Sequence, residues 1–360
     1  MRIAQIAPII ERVPPKKYGG TERVVHALTE ELVRRGHEVT LFASGDSHTS
    51  ATLSSVYPRG IREARLRDVY GPNYWTLLNI GIAYEHQKHF DVIHDHVVPL
   101  SLPTGNLAST PVIGTMHGAF NPDNRKLFEH LRGPNILTIS RSQAESAPDI
   151  HHAGTVYNGL PMDDYPFSKY TEDYLLFVGR ISPEKGTHIA VQAAQQLDIP
   201  LIIAAKLERT DEIYFHEHIG PYLSERIRWI GEVNESARNH LMSRARAFLH
   251  PAMWREPFGL TLIEAMACGC PVIAFNRGSI PEIVQSGVTG YVVNDLESML
   301  EAIVNIDALD RSLTRDYARA TFSEKNMADG YEVMYETVLT QRTGTLHESA
   351  YYATQRLMIS

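Results

Sequence analysis

Two glutamates, Glu256 and Glu264, stand eight residues apart on either side of the turn Pro257-Phe258-Gly259, which ought to start a helix near Leu260. The first amides of such a helix have no intrahelical partner and carry the positive end of its dipole, so an anionic phosphate suits them. Glu256 would lie at the helix mouth and Glu264 about 6–7 Å deeper along the axis. Carboxylates so placed accept hydrogen bonds from hydroxyls on either side of a diphosphate, one from a transferred sugar and the other from a ribose. On an isolated amphipathic helix the same pair would only complement the dipole. Gly259, the ending Ala265-Met266-Ala267-Cys268-Gly269 and the apolar run that follows favour the site.

A second cluster, Gly179-Arg180-Ile181-Ser182-Pro183-Glu184-Lys185-Gly186, follows a strand-like run directly. Ligands of open α/β sheets bind at the carboxyl ends of strands. Arg180 with its planar fork and Lys185 with its mobile point charge would neutralise a departing diphosphate there. The bland alternative is a solvated turn with two surface cations. The order of a Walker loop is absent. Gly19 and Gly20, in Tyr18-Gly19-Gly20-Thr21, let backbone approach a ligand, although a Gly-Gly turn after a strand is most often only a turn. His117, in Met116-His117-Gly118, stands where it can hydrogen-bond a sugar hydroxyl, although a lone histidine is more often structural. His94 and His96 share one strand face, but no third ligand accompanies them, and no metal site is expected.

The elements that must position these residues alternate. Strand-like runs at residues 2–7, 38–43, 91–94, 112–116 and 136–139 form one series, and a second opens at 174–178 and continues at 201–205, 227–230, 247–249, 271–275 and 291–293. Helical stretches lie between them, such as the Val24, Val25, Leu28, Leu32 stripe that stops at Gly36. Strands alternating with helices imply parallel sheets covered on both faces, so the fold class is α/β with two Rossmann-like domains. The turn-rich segment at 158–166 marks the boundary, giving domains of 1–160 and 161–339.

Length and charge narrow the function. The 360 residues exceed what one core usually serves, and 43% hydrophobic with 21% charged residues is ordinary for a globular protein. A net charge of −8 without a long basic run argues against nucleic acid as a partner. The two cysteines, Cys268 and Cys270, lack zinc spacing and read as reduced thiols, which suits a cytoplasmic location. No run of 18 apolar residues exists to span a membrane.

Taken together, Glu-x7-Glu, Gly-Arg-x4-Lys-Gly and the two alternating series resemble glycosyltransferase family 4, the retaining family with the GT-B fold, over roughly residues 1–339. The opening and the strand at 202–206 look most like the branch containing the avilamycin glycosyltransferase. The resemblance implies two Rossmann-like domains facing across a cleft, with a C-terminal helix from about residue 340 packing back on the first domain. It implies a nucleoside-diphosphate sugar as donor, a small-molecule or lipid-linked acceptor, peripheral membrane contact as an option, and no bound metal or other cofactor. It assigns Glu256 to the donor sugar, Glu264 to the ribose, and Arg180 and Lys185 to the diphosphate. The amides of Leu260 and Thr261 would cap the diphosphate, with Gly20 approaching from the other domain. His117 would lie beside the transferred sugar, and the base near Gly231 and Val233. Arg238 stands where related sequences often carry Lys, and its role is open. Competing readings are a non-catalytic nucleotide-sugar-binding scaffold, or an epimerase or phosphorylase of the same shape. An oxidoreductase is disfavoured because Gly-x-Gly-x-x-Gly is absent.

Overall fold

The computed structural model describes residues 1–17, 19–64, 66–131 and 135–343. The chain divides into two units, Met1–Leu160 together with the chain from Glu324, and Pro161–Ser323. The second unit is thus one continuous insertion between two parts of the first.

The first unit is built on a parallel sheet of β1 (Arg2–Ile6), β2 (Glu38–Phe42), β3 (Thr52–Ser54), β4 (Val92–Asp95), β5 (Val112–Thr115), β6 (Asn135–Thr138) and β7 (His152–Thr155) in the order β3-β2-β1-β4-β5-β6-β7. Its inner strands are buried on both faces, with Ile3, Ala4, Ile6, Val92 and Ile113 among the apolar residues and Gln5 and His94 among the polar ones. The chain turns outward from β1 to β3 and then starts again on the other side of β1 with β4. The β1–β4 boundary is therefore the topological switch point, the place where open α/β sheets bind their ligands.

Strands β3 and β7 were absent from the sequence reading. Both are short, half-buried edge strands, and His152-Ala153-Gly154-Thr155 offers no apolar run to detect. The helix Gly71–Glu85 also carries no usable stripe, because Tyr74, Leu77, Leu78, Ile80 and Ile82 surround it.

One boundary needs correction. The segment returning to the first unit begins at Glu324, not near residue 340, and its helix spans Glu324–Thr343. Tyr331 and Tyr335 on that helix are fully buried. Arg35, at the end of the Gly20–Arg34 helix, holds it from the side through Asp329 and Glu332, each at 2.6 Å. Residues 344–360 lie outside the described chain, and so does the expected tail helix there.

The second unit repeats the plan with β8 (Leu175–Ile181), β9 (Leu201–Leu207), β10 (Ile227–Trp229), β11 (Ala247–His250), β12 (Val272–Phe275) and β13 (Gly290–Val293), all parallel, in the order β10-β9-β8-β11-β12-β13. Phe177, Ile203, Leu249 and Ile273 lie in its core. Its switch point falls between β8 and β11, so the loops that follow those two strands lie side by side.

Candidate active site

The loop after β8 carries Lys185 and the loop after β11 carries Glu256, which is how two residues 71 apart in sequence meet at the switch point of the second unit. Two glycines lock the loops. Gly186 has φ +70°, and a Cβ there would fall 2.0 Å from the Pro251 carbonyl oxygen. Gly278 has φ +63° and lies so close behind Glu256 that a Cβ would stand 2.3 Å from its carbonyl oxygen. The Met253 amide donates to the Glu184 carbonyl at 2.7 Å, and the Ser279 amide to that of Glu256 at 3.0 Å.

So fixed, Glu256 is a buried carboxylate, 8% exposed. Its Oε2 accepts from Lys185 Nζ at 2.7 Å and from Trp254 Nε1 at 2.9 Å, and His250 Nε2 stands 3.5 Å away. Burial pushes the carboxyl up, but His250 and the Lys185 charge together outweigh it and hold the group at about 2. Glu256 is therefore ionised at neutral pH. Lys185 also lies over the Trp254 ring, 4.8 Å from its centroid, which stabilises the ammonium by cation–π attraction.

Gly259, with φ +87°, caps the helix Leu260–Ala267, and Pro257 just before it has no amide hydrogen to contribute. The Leu262 amide bonds back to the Gly259 carbonyl at 2.9 Å. The Leu260 and Thr261 amides at that terminus have no carbonyl within the helix to bond. One turn deeper, Glu264 is 1% exposed and accepts on Oε1 from Arg238 Nη2 at 2.8 Å and from the Tyr165 hydroxyl at 3.2 Å. Arg238, whose role the sequence left open, is thus the counter-ion of Glu264. Arg180, near the end of β8, is ion-paired with Glu184 in the loop that follows, a contact the sequence did not suggest. Gly231 and Val233 lie in the loop after β10, and Gly231 takes φ +74°.

In the first unit, Gly19 and Gly20 lie where the loop after β1 enters the Gly20–Arg34 helix. Tyr18 of that motif lies outside the described residues. His117 follows β5, and its Nε2 lies 2.9 Å from His96 Nδ1. His96 Nε2 is 2.6 Å from Gln5 Oε1. His94, on the same strand face as His96, bonds to Tyr335 at 2.7 Å and Thr115 at 2.8 Å. His117 is half-buried as a residue, burial lowers its pKa to about 4, and burial holds His94 and His96 well below the ordinary imidazole range. All three rings are neutral at pH 7.

The sequence reading missed Trp254 and His250 around Glu256, although both stand within six residues of it. It also missed Gln5 and Tyr335, which gave no local signal because they reach the histidines from positions 91 and 241 residues away in the chain.

Comparison with known proteins shows a family and a fold. Residues 166–316 match the family described as Glycosyl transferases group 1, and residues 18–163 match Glycosyltransferase Family 4. The phosphatidyl-myo-inositol mannosyltransferase of Mycolicibacterium smegmatis is 26% identical over 357 residues, covering 89% of this chain and 88% of the relative. Spore coat protein SA of Bacillus subtilis is 29% identical over 387 residues, covering 93% and 99%. Among solved structures, AviGT4, a glycosyltransferase involved in avilamycin A biosynthesis, matches with a TM-score of 0.73 and 26% identity over 94% of this chain and 98% of the other.

Proposed function

The chain belongs to the group 1 and family 4 glycosyltransferases of GT-B fold, and from that premise we propose that it moves a hexose from a nucleoside-diphosphate donor to a hydroxyl acceptor with retention of anomeric configuration. The observation that carries the reading is the buried, ionised Glu256 held by Lys185 and Trp254 just before the N-terminus of the Leu260–Ala267 helix. A fixed carboxylate accepts hydrogen bonds from sugar hydroxyls, while the helix amides and the cations favour a diphosphate.

The proposed division of labour follows from donor and acceptor capacity. Glu256 orients the transferred sugar. The Lys185 ammonium has three N–H donors, so one can stay on Glu256 while another meets a phosphate oxygen. Arg180 has five donors, and its contact with Glu184 uses only part of the fork. Glu264, steadied by Arg238 and Tyr165, takes the ribose, and the loop at Gly231 and Val233 takes the base. His117 serves the acceptor side. The acceptor oxygen bonds to the anomeric carbon on the face from which the diphosphate leaves. The carbon–oxygen bond to phosphate breaks, and the acceptor proton passes to the departing phosphate oxygen. Charge accumulating on that leaving group is what Arg180, Lys185 and the helix terminus stabilise, and we assign this task to them rather than to a bound metal.

An amphiphilic acceptor is favoured by one surface. Val69, Tyr70, Tyr74, Leu77 and Leu78, on and beside the Gly71–Glu85 helix, expose between 44% and 80% of their area. The mannosyltransferase relatives are named for phosphatidyl-myo-inositol, a lipid. Among the described residues no helix is long and apolar enough to cross a membrane, so contact with a lipid acceptor would be peripheral. The buried free thiols of Cys268 and Cys270 suit the cytoplasm.

The deciding experiment pairs a melting-temperature screen of nucleoside diphosphates and their sugars with NMR of the transfer product. One donor should raise the midpoint through linkage, and the product should keep the donor's anomeric configuration. An inverted product would remove the proposed chemistry.

A further inference from the structure

The proposed mechanism uses His117 but not the groups behind it. Gln5, in the middle of β1, is fully buried, and its side chain reaches two histidines and a tyrosine of the return helix. We propose that Gln5 is a positioning residue that fixes the tautomer of His117 through His96, with Tyr335 holding the Gln5 amide in the required orientation.

The Gln5 amide lies with its oxygen towards His96 and its nitrogen towards Tyr335. Gln5 Oε1 faces His96 Nε2 at 2.6 Å, a short hydrogen bond. Gln5 Nε2 donates to the Tyr335 hydroxyl at 3.1 Å. From this orientation the protons follow in turn. An amide oxygen only accepts, so His96 must carry its proton on Nε2. A neutral ring then leaves His96 Nδ1 as an acceptor, and the neighbour at 2.9 Å, His117 Nε2, must donate. His117 is thereby held as the Nε2–H tautomer with Nδ1 unprotonated.

The other branch closes without conflict. Tyr335 accepts from the Gln5 amide and donates to His94 Nδ1 at 2.7 Å. His94 Nε2–H then donates to Thr115 Oγ1 at 2.8 Å, and Thr115 shares a proton with the Tyr331 hydroxyl at 3.2 Å. Turning the amide over would reverse the donors along both branches and move the His117 proton to Nδ1. Burial keeps the rings neutral, and a neutral ring is what makes its tautomer a property that a neighbour can set.

The chemical consequence rests on the reading of His117 as an acceptor-side group. An unprotonated Nδ1 accepts a hydrogen bond from a sugar or acceptor hydroxyl, whereas an Nδ1–H would donate to it. The return helix thus takes part in setting the hydrogen-bond polarity of His117.

Two-bond 1H–15N NMR of the imidazoles in the full-length protein, assigned with a His117→Gln variant, tests this. Wild type should show His117 protonated on Nε2. Gln5→Leu should give a mixture of tautomers, while Gln5→Glu, whose carboxylate still accepts from His96 Nε2–H, should restore the single Nε2–H form. Tyr335→Phe should show a detectable Nδ1–H fraction and keeps the test available should Gln5→Leu not fold. Kinetically, Gln5→Leu should lower kcat about tenfold with donor KM unchanged. The proposal is overturned by an Nδ1–H His117 in wild type, or by unchanged His117 signals in both Gln5→Leu and Tyr335→Phe. The tautomer is read without any transfer, so a protein that transfers no sugar would sink the proposed function separately.

Discussion

The polar groups around Glu256 and those behind His117 are handled in opposite ways. Around the loops after β8 and β11, Glu256 with Lys185 and Glu264 with Arg238 are ion pairs, each built on a nearly buried carboxylate. Behind His117 the first unit buries Gln5, His94, His96 and Tyr335 as a hydrogen-bonded set of neutral groups. The difference matches the partners proposed for each. A departing diphosphate gains charge, and only fixed charges and dipoles answer that without reorganising. A hydroxyl stays neutral until late, and needs a donor or acceptor aimed correctly more than it needs a charge. Formal charge and hydrogen-bond polarity are two forms of preorganisation, and the surroundings of Glu256 and of His117 use one each.

The strongest way to break that contrast is to remove a charge from the second unit. Glu256→Ala and Lys185→Ala should each lower transfer by about a hundredfold to a thousandfold, the scale of losing a preorganised electrostatic contact. Near-normal turnover by either, in a variant that still melts cooperatively, would show that the charged cluster is structural. Next in size is Gly278→Ala. Its new Cβ would meet the Glu256 backbone at 2.3 Å at a positive φ, so about 2–4 kcal/mol should be lost and donor affinity should fall with it, as chemical denaturation and titration will report.

Acid titration sharpens the comparison by separating the units. Glu256 sits at about 2 against an ordinary 4.5, so its stabilisation is complete above 4.5 and disappears as pH falls towards 2. His117 sits at about 4 against an ordinary 6.5. The unfolded chain therefore takes up that proton first, and stability is lost as pH falls from 6.5 to 4. Compared with wild type, His117→Asn should gain ground between pH 6.5 and 4, and Glu256→Gln only below 4.5; a reversed order in urea midpoints would contradict the assignment. The smallest effect belongs to Trp254→Phe, which removes one hydrogen bond to Glu256 but leaves an aromatic face for Lys185. It should weaken donor binding by about three- to tenfold, measured by calorimetry.

Much of this arrangement was legible in the sequence because it is local. The Leu260–Ala267 helix, its glycine start and the loop ending at Gly186 are read from neighbouring residues, and the alternation of runs gives two parallel sheets. What escaped depends on contacts across the chain. Arg180 turned to Glu184, and Arg238 found Glu264, because ion pairs follow three-dimensional proximity that no spacing encodes. Strands β3 and β7 escaped because edge strands need no apolar run, and Gln5 because a polar residue inside an apolar strand looks like noise until its partners are known. The boundary near 340 was misplaced because the break between the helices Arg311–Thr321 and Glu324–Thr343 is only two residues, with no glycine or proline to mark where the chain changes units.

The return of the chain at Glu324 has a consequence for dissection. Residues 161–323 form a single excisable stretch, whereas residues 1–160 alone do not make the other half. A fragment ending at 160 would lack Tyr331 and Tyr335, strip the cover from His94, and leave Arg35 without Asp329 and Glu332. Anyone splitting this molecule should keep the segment from Glu324 with residues 1–160, so that Tyr331 and Tyr335 stay with Thr115 and His94 at the opposite end of the polypeptide.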